Sequence, residues 1–99
     1  MTPSAGETWL ADSPDEIRRL VVVISDSRLH TLAGRAIVAP VVVSPRAPAP
    51  PWYVSLGNDE SIAVHLLAGI DVDRLLERTS IVSYEVLRSA RQVVAALAT

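Results

Sequence analysis

A mainly β domain with one C-terminal α-helix is the fold class this sequence predicts, and three stretches predict it. Residues 20–24 (LVVVI) and 36–43 (AIVAPVVV) are β-branched runs of strand length. Val and Ile suit a pleated, buried surface because their branched Cβ leaves few rotamers, and those pack well there. Between the runs lies a polar connector with Ser25, Asp26, Ser27, His30 and Gly34, so the two read as antiparallel neighbours joined by a loop. The third stretch is 83–98. It places Val86, Leu87, Ala90, Val93, Val94 and Leu97 at helical spacing, with Arg88, Arg91 and Gln92 on the other side.

Taken in order, residues 1–6 read as a loose tail and 7–11 (ETWLA) as a short first strand anchored by Trp9. Asp12-Ser13-Pro14 sets a turn, and the second strand follows through Ile24. Residues 26–35 read as a loop with a helical turn at its centre. In the third strand, 35–43, Pro40 cannot donate to a ladder, so it is expected at an edge or a bulge. The segment SPRAPAPP (44–51) has four prolines in eight residues and reads as a stiff, exposed spacer. Strands are expected at 52–56 and 61–67 around a tight turn at Gly57-Asn58-Asp59-Glu60. Residues 70–78 read as a helical turn opened by Asp71, and 79–82 as a small extended piece. Ser83 then caps the terminal helix, with Glu85 favourably placed in its first turn.

Composition narrows the function. With 49% hydrophobic residues in 99, one domain over 1–99 with its own core is expected. A chain this short still buries only about 60–65% of its unfolded surface, so a partner or second copy is expected to cover part of the apolar remainder. Nine Arg and no Lys stand against eleven acidic residues, a formal charge of −2. That balance is not the footprint of a protein holding nucleic acid by continuous phosphate neutralisation, but it leaves room for an Arg cluster acting on one phosphate. The absence of cysteine excludes disulfides and thiol nucleophiles. No leader-like start or membrane-length apolar run occurs, so a soluble, cytoplasmic protein with no membrane partner is expected.

No nucleotide-binding Gly-rich loop, nucleophile elbow or zinc motif is present, so neither cofactor nor metal is expected. Asp71 and Asp73 form a D-x-D pair that helix capping explains better than metal binding. His65 alternates with Ile62, Val64 and Leu66, which turns it to the opposite sheet face as a partly exposed histidine. Arg18 and Arg19 enter the second strand. They are either a solvated pair or, in the functional alternative, the clamp for a phosphate.

The order of these pieces resembles a known family. A first strand ending Trp9-Leu10-Ala11-Asp12 is followed by an Arg leading into VVVIS-D, then by IVAP. A further strand and IDxDRL then precede the amphipathic helix. Over roughly residues 7–98 this is similar to the MazF/PemK toxins of type II toxin–antitoxin systems and to their CcdB-like relatives. The resemblance implies a small SH3-like antiparallel barrel closed by the helix, a homodimer, and neutralisation by a cognate small antitoxin. MazF-type members cut single-stranded RNA without a metal, using an Arg before the second strand and a Thr at the end of the third. Carried over, the Arg position falls on Arg19, with Arg18 beside it, and the Thr position on Val42, which has no hydroxyl. Ser44, two residues on and on the same strand face, is the expected substitute. The implied catalytic residues are thus Arg19 and Ser44, with Arg18, Arg46 and His65 as substrate contacts. The CcdB-like alternative is a non-enzymatic toxin that binds DNA gyrase or another protein. It fits Ser25-Asp26 and Gly34-Arg35, but the chain ends Ala96-Leu97-Ala98-Thr99 without that branch's aromatic residues. A third reading keeps the barrel as a dimeric binding module without toxicity.

Overall fold

A computed structural model describes residues 2–12 and 17–98. Seven strands and two α-helices follow one another as β1 (Glu7–Ala11), β2 (Arg19–Val23), α1 (Ser27–Ala33), β3 (Arg35–Val43), β4 (Tyr53–Gly57), β5 (Glu60–Ala63), β6 (Ala68–Asp71), β7 (Leu75–Ile81) and α2 (Tyr84–Leu97). All pairings are antiparallel. The strand order is β4-β5-β3-β2-β1-β7, with β6 on β3 beside this path. The expected mainly β architecture with its C-terminal helix is present. Its ladders form an open sheet, and β6 runs into β7 through a single 3₁₀ turn at Val72–Arg74.

The two β-branched runs form the centre of this sheet, and Val21–Ile24 with Ala36, Val38 and Ala39 are buried on both its faces. Val21, Val23, Ala36 and Val38 pack with Trp9, Ala11 and Leu75 on one side. Val22, Ile24 and Ala39 pack on the other side with Ile62, Val64 and the α2 residues Leu87 and Ala90. Burial on both faces explains why residues 20–24 carry no polar alternation. The middle strand β3 pairs β6 from Arg35↔Asp71 to Val38↔Ala68, then β5 from Val41↔Ile62 to Val43↔Glu60. Pro40 stands in the interval between these ladders, opposite Val21 of β2. Its outward side meets no strand there, the unpaired edge expected of it, because the strand's outer partner changes at that point.

Local chemistry sets the connections. Asp26 caps α1 by accepting the Arg28 N–H at 2.8 Å, and Gly34 ends the helix in the left-handed region at φ 66°. The loop expected over 26–35 is therefore a short helix. Asn58 and Asp59, at φ 51° and 59°, make a two-residue turn of type I′ between β4 and β5. Ser83 caps α2 by accepting the Val86 N–H at 3.2 Å.

Four expectations need correction. Residues 3–6 are not a loose tail: Gly6 N–H donates to Val23 O at 2.8 Å, and Pro3 O accepts from the buried His30 at 2.7 Å. The strand expected over 61–67 ends at Ala63, and His65 lies in a 3₁₀ turn, Val64–Leu66. Residues 70–78 are not helical but hold the end of β6, one 3₁₀ turn and the start of β7. Asp71 makes no side-chain cap; it pairs with Arg35 at 3.0 Å. The turn expected at Asp12-Ser13-Pro14 falls largely outside the described residues.

A buried carboxylate fastens the outer strands. Glu7 is 7% exposed and accepts from Ser4 N–H at 2.7 Å, the Arg78 guanidinium at 3.0 Å and the Trp9 indole N–H at 3.2 Å. Burial alone would raise its pKa. The three donors outweigh that and hold the carboxyl below its ordinary value. Because the folded pKa is depressed, this stabilisation is present above the unfolded carboxylate value, about 4.3, and is lost as pH falls through the folded one.

Two outcomes follow from this packing. Ile62→Ala empties a fully buried position between sheet and α2 and should cost about 2–5 kcal/mol in urea unfolding; a loss below 1 kcal/mol (about the cost of a surface change) would mean that the second core is loose. Glu7→Gln should lower the urea midpoint at pH 7, and its gap from the natural protein should narrow below about pH 4.3. A gap independent of pH would show that the carboxylate's charge contributes nothing.

Candidate functional site

Strand alternation and register determine which side chains share a face. Val21 and Val38 belong to the first core, so Arg19 on β2 and Pro40, Val42 and Ser44 along β3 continue that face. Val42 lies opposite Ser61 of β5, and Ser61 opposite Ser55 of β4. Ser61, Ala63, Ser55 and Tyr53 therefore carry the same face onward. Helix α2 packs on the other face, against Ile62 and Val64.

Arg19 and Val42 lie past the end of the β2–β3 ladder, on strands that are paired up to Val21 and Pro40. Val42 and Ser61 stand opposite each other across β3 and β5, and Arg19 lies on β2 beyond the end of its ladder with β3. Ser44 meets Ser61 from the end of β3. Its N–H donates to Asp59 O at 2.7 Å, and its Oγ lies 2.7 Å from Ser61 Oγ. Ser61 is buried at 3% exposure, whereas Ser44 is half-buried and Arg19 exposed. Beside Arg19 the face sinks into a hollow of about 190 Å³, lined by Asp12, Pro40, Leu66, Ala68 and Ile70 among others.

The structure brings Arg19 and Ser44 onto one face. Arg46 lies exposed in the Pro-rich connection two residues after Ser44, and Arg18 exposed just before β2. Neither arginine makes an ion pair among the described residues. His65 lies in the 3₁₀ turn after β5, its exposed ring 5.1 Å edge-on from Tyr53 of the same face and 5.9 Å from Trp52. It does not lie on a strand face as its alternation suggested. Among the described residues, no group of three His, Asp or Glu gathers as a metal site, and no helix is long and apolar enough to cross a membrane.

Ser61 is the residue that sequence reasoning missed. A two-residue turn at Asn58-Asp59 that closes on Gly57↔Glu60 would place Leu56 opposite Ser61. An irregularity between Ser55 and Gly57 shifts the register by one, so Ser55 faces Ser61 instead. Roomier clefts of about 430 and 290 Å³ run along α2 and one of about 380 Å³ reaches its first turn; none includes Arg19 or the Ser44–Ser61 pair.

The arrangement puts one guanidinium and the half-buried Ser44 hydroxyl, itself bonded to the buried Ser61, on one face where an anion could lie. Arg is permanently charged and matches phosphate geometry, and a hydroxyl adds a directed donor. Comparison with curated proteins gives no match. Among solved structures, the chain is similar to the crystal structure of MazE–MazF (form III) from Deinococcus radiodurans. Identity is 23% over 99% of this chain and 97% of that one, with a TM-score of 0.83. MazF (form I) from the same organism gives 24% identity, 99% and 97% coverage and 0.80. An endoribonuclease in complex with its cognate antitoxin, from a mycobacterial species, gives 12%, 95% and 92%, and 0.83. These likenesses establish the fold. The model of the family described as PemK-like, MazF-like toxin of type II toxin–antitoxin systems matches residues 5–98, and this chain belongs to that family.

Proposed function

We propose that this toxin is an endoribonuclease that cuts single-stranded RNA and is held inactive by a cognate antitoxin. The observation that carries the reading is the face opposite α2, which holds Arg19 on β2 and, across β3 and β5, Val42 with the Ser44–Ser61 pair. Membership of the PemK-like, MazF-like family supports it, as does the similarity in fold to an endoribonuclease bound to its antitoxin.

In this reading the scissile phosphate lies over Val42. The adjoining ribose 2′-oxygen attacks phosphorus, a P–O2′ bond forms and the P–O5′ bond breaks. The 2′-proton passes to water and the departing 5′-oxygen takes a proton from water. The products end in a 2′,3′-cyclic phosphate and a 5′-hydroxyl. Arg19 stabilises the charge that grows on the phosphoryl oxygens, and the Ser44 hydroxyl donates to one of them. Arg18 and Arg46 add positive charge along the strand's path, which raises affinity in a salt-dependent way. The chemistry asks for no metal or cofactor. A second copy of the chain covers exposed apolar residues such as Ile81, Tyr84 and Leu97. The protein acts in the cytoplasm, where its RNA is.

Purified toxin, freed of antitoxin, should cleave a long single-stranded RNA. Arg19→Ala should lower the rate by about 10²–10³-fold, as loss of one positioned charge-stabilising donor does, while the far-ultraviolet circular dichroism spectrum stays unchanged. RNA left intact by the natural protein, or cut equally by Arg19→Ala, overturns the reading. Growth arrest with intact RNA and trapped gyrase–DNA complexes would move the target to a protein.

A further inference from the structure

The hydroxyls of Ser44 and Ser61 pose a question of proton accounting. Each has one hydrogen, and the two share a single hydrogen bond of 2.7 Å. One hydrogen is used between them and the other must go elsewhere. Ser61 is 3% exposed and its hydroxyl meets no partner but Ser44 among the described residues. If Ser44 donated to Ser61, the Ser61 hydrogen would be sealed in without an acceptor, which costs about 1–3 kcal/mol. The opposite direction leaves nothing buried unpaired. Ser61 therefore donates to Ser44, and the Ser44 hydrogen turns outward onto the half-open face shared with Arg19. The backbone fixes Ser44 as well, since its N–H is held by Asp59 O at 2.7 Å.

We propose that Ser61 is a positioning residue that directs the Ser44 hydroxyl at the scissile phosphate, supplying the donor that Val42 lacks. The inference rests on the ribonuclease reading above and adds the device that makes it workable. Ser44 neither gains nor loses its proton; it donates a hydrogen bond to a phosphoryl oxygen, and the bond changes are those already given. Ser61 touches no substrate and acts through Ser44 alone. A hydroxyl at position 42 would stand opposite Ser61 on the same face. Restoring one there should make the reaction independent of Ser61.

The test measures kcat and KM on a single-stranded RNA oligonucleotide for Ser61→Ala, Ser44→Ala, the double variant, Val42→Thr, and Val42→Thr combined with each serine change. Ser61→Ala should lower kcat about tenfold with KM unchanged, a fraction of the cost of losing a donor outright. Ser44→Ala should cost more, and the double variant no more than Ser44→Ala alone. Val42→Thr should restore cleavage to both single serine variants, which a merely structural role for Ser61 would not allow. If Ser61→Ala does not fold, rescue of Ser44→Ala by Val42→Thr decides in its place. Full activity in Ser61→Ala, additive losses, or no rescue overturns the inference while the natural protein still cuts RNA. Intact RNA with the natural protein overturns both readings.

Discussion

One strand with two successive partners on the same side organises this molecule. Backbone polar groups alternate along an antiparallel strand, so the side to which one residue turns settles the rest. Ile24 N–H donates to Ile37 O, and Ser44 N–H donates to Asp59 O. Odd residues of β3 thus face β2, while even residues face first β6 and then β5. Pro40 is even, and its nitrogen has no hydrogen to give. It falls in the interval where β6 has ended at Val38 and β5 has not begun. A ladder running unbroken through that point would leave a carbonyl without its donor. The partner change removes the need. It also splits the packing into a first core around Trp9 and Leu75 and a second beneath α2, and it leaves the Val42 end of β3 on an open face.

The periphery is held by polar contacts rather than by apolar area. His30 is 3% exposed; its Nδ1–H donates to Pro3 O, which leaves Nε2 to accept from the Ser25 hydroxyl. Ser25 Oγ in turn accepts the Ile37 N–H at 2.9 Å. That donor would otherwise bond Ile24 O, which instead receives the Arg91 guanidinium at 3.0 Å. One chain of contacts therefore joins residue 3, the end of β2, α1, β3 and α2. Arg91, assigned from periodicity to the polar side of the helix, reaches back over the sheet because its long stem can carry the charged head to a carbonyl. Networks of this kind specify geometry more than they add net stability, since breaking one member strands another.

How much of this was legible depended on whether one local signal sufficed. The β2 and β3 runs and α2 were readable because burial on both faces, or on one helical stripe, writes itself into residue types. Strand β7 was not: of its seven residues only Leu75 is buried, so an edge strand looked like a polar helical turn. The 3₁₀ turn at Val64–Leu66 continued an apolar alternation that belonged to β5 for only four residues. Of the site, Arg19 and Ser44 were reachable through the order of motifs and strand parity. Ser61 was not, because the irregularity before Gly57 exchanges the two faces of β4 relative to β5, and neither Leu56 nor Ser55 declares itself the extra residue.

The same shift bears on the proposal that a hydroxyl-dependent site tolerates Val at position 42. A donor's worth in a transition state depends on where its hydrogen points, not on which strand supplies it. Residues directly opposite across an antiparallel pair have Cβ atoms about 4.5–5.5 Å apart, so in the proposed mechanism Ser61 is the natural neighbour of Val42. Ser61 is too deeply buried to present its own hydrogen to a ligand. A second hydroxyl nearer the surface resolves this, since an O–H that accepts from below donates above. With the register unshifted, Leu56 would face Ser61 and the side-chain sets of β4 and β5 would no longer match the two cores. The proposed direction of the Ser44 hydrogen thus traces back to the same feature that lets β4 close the second core.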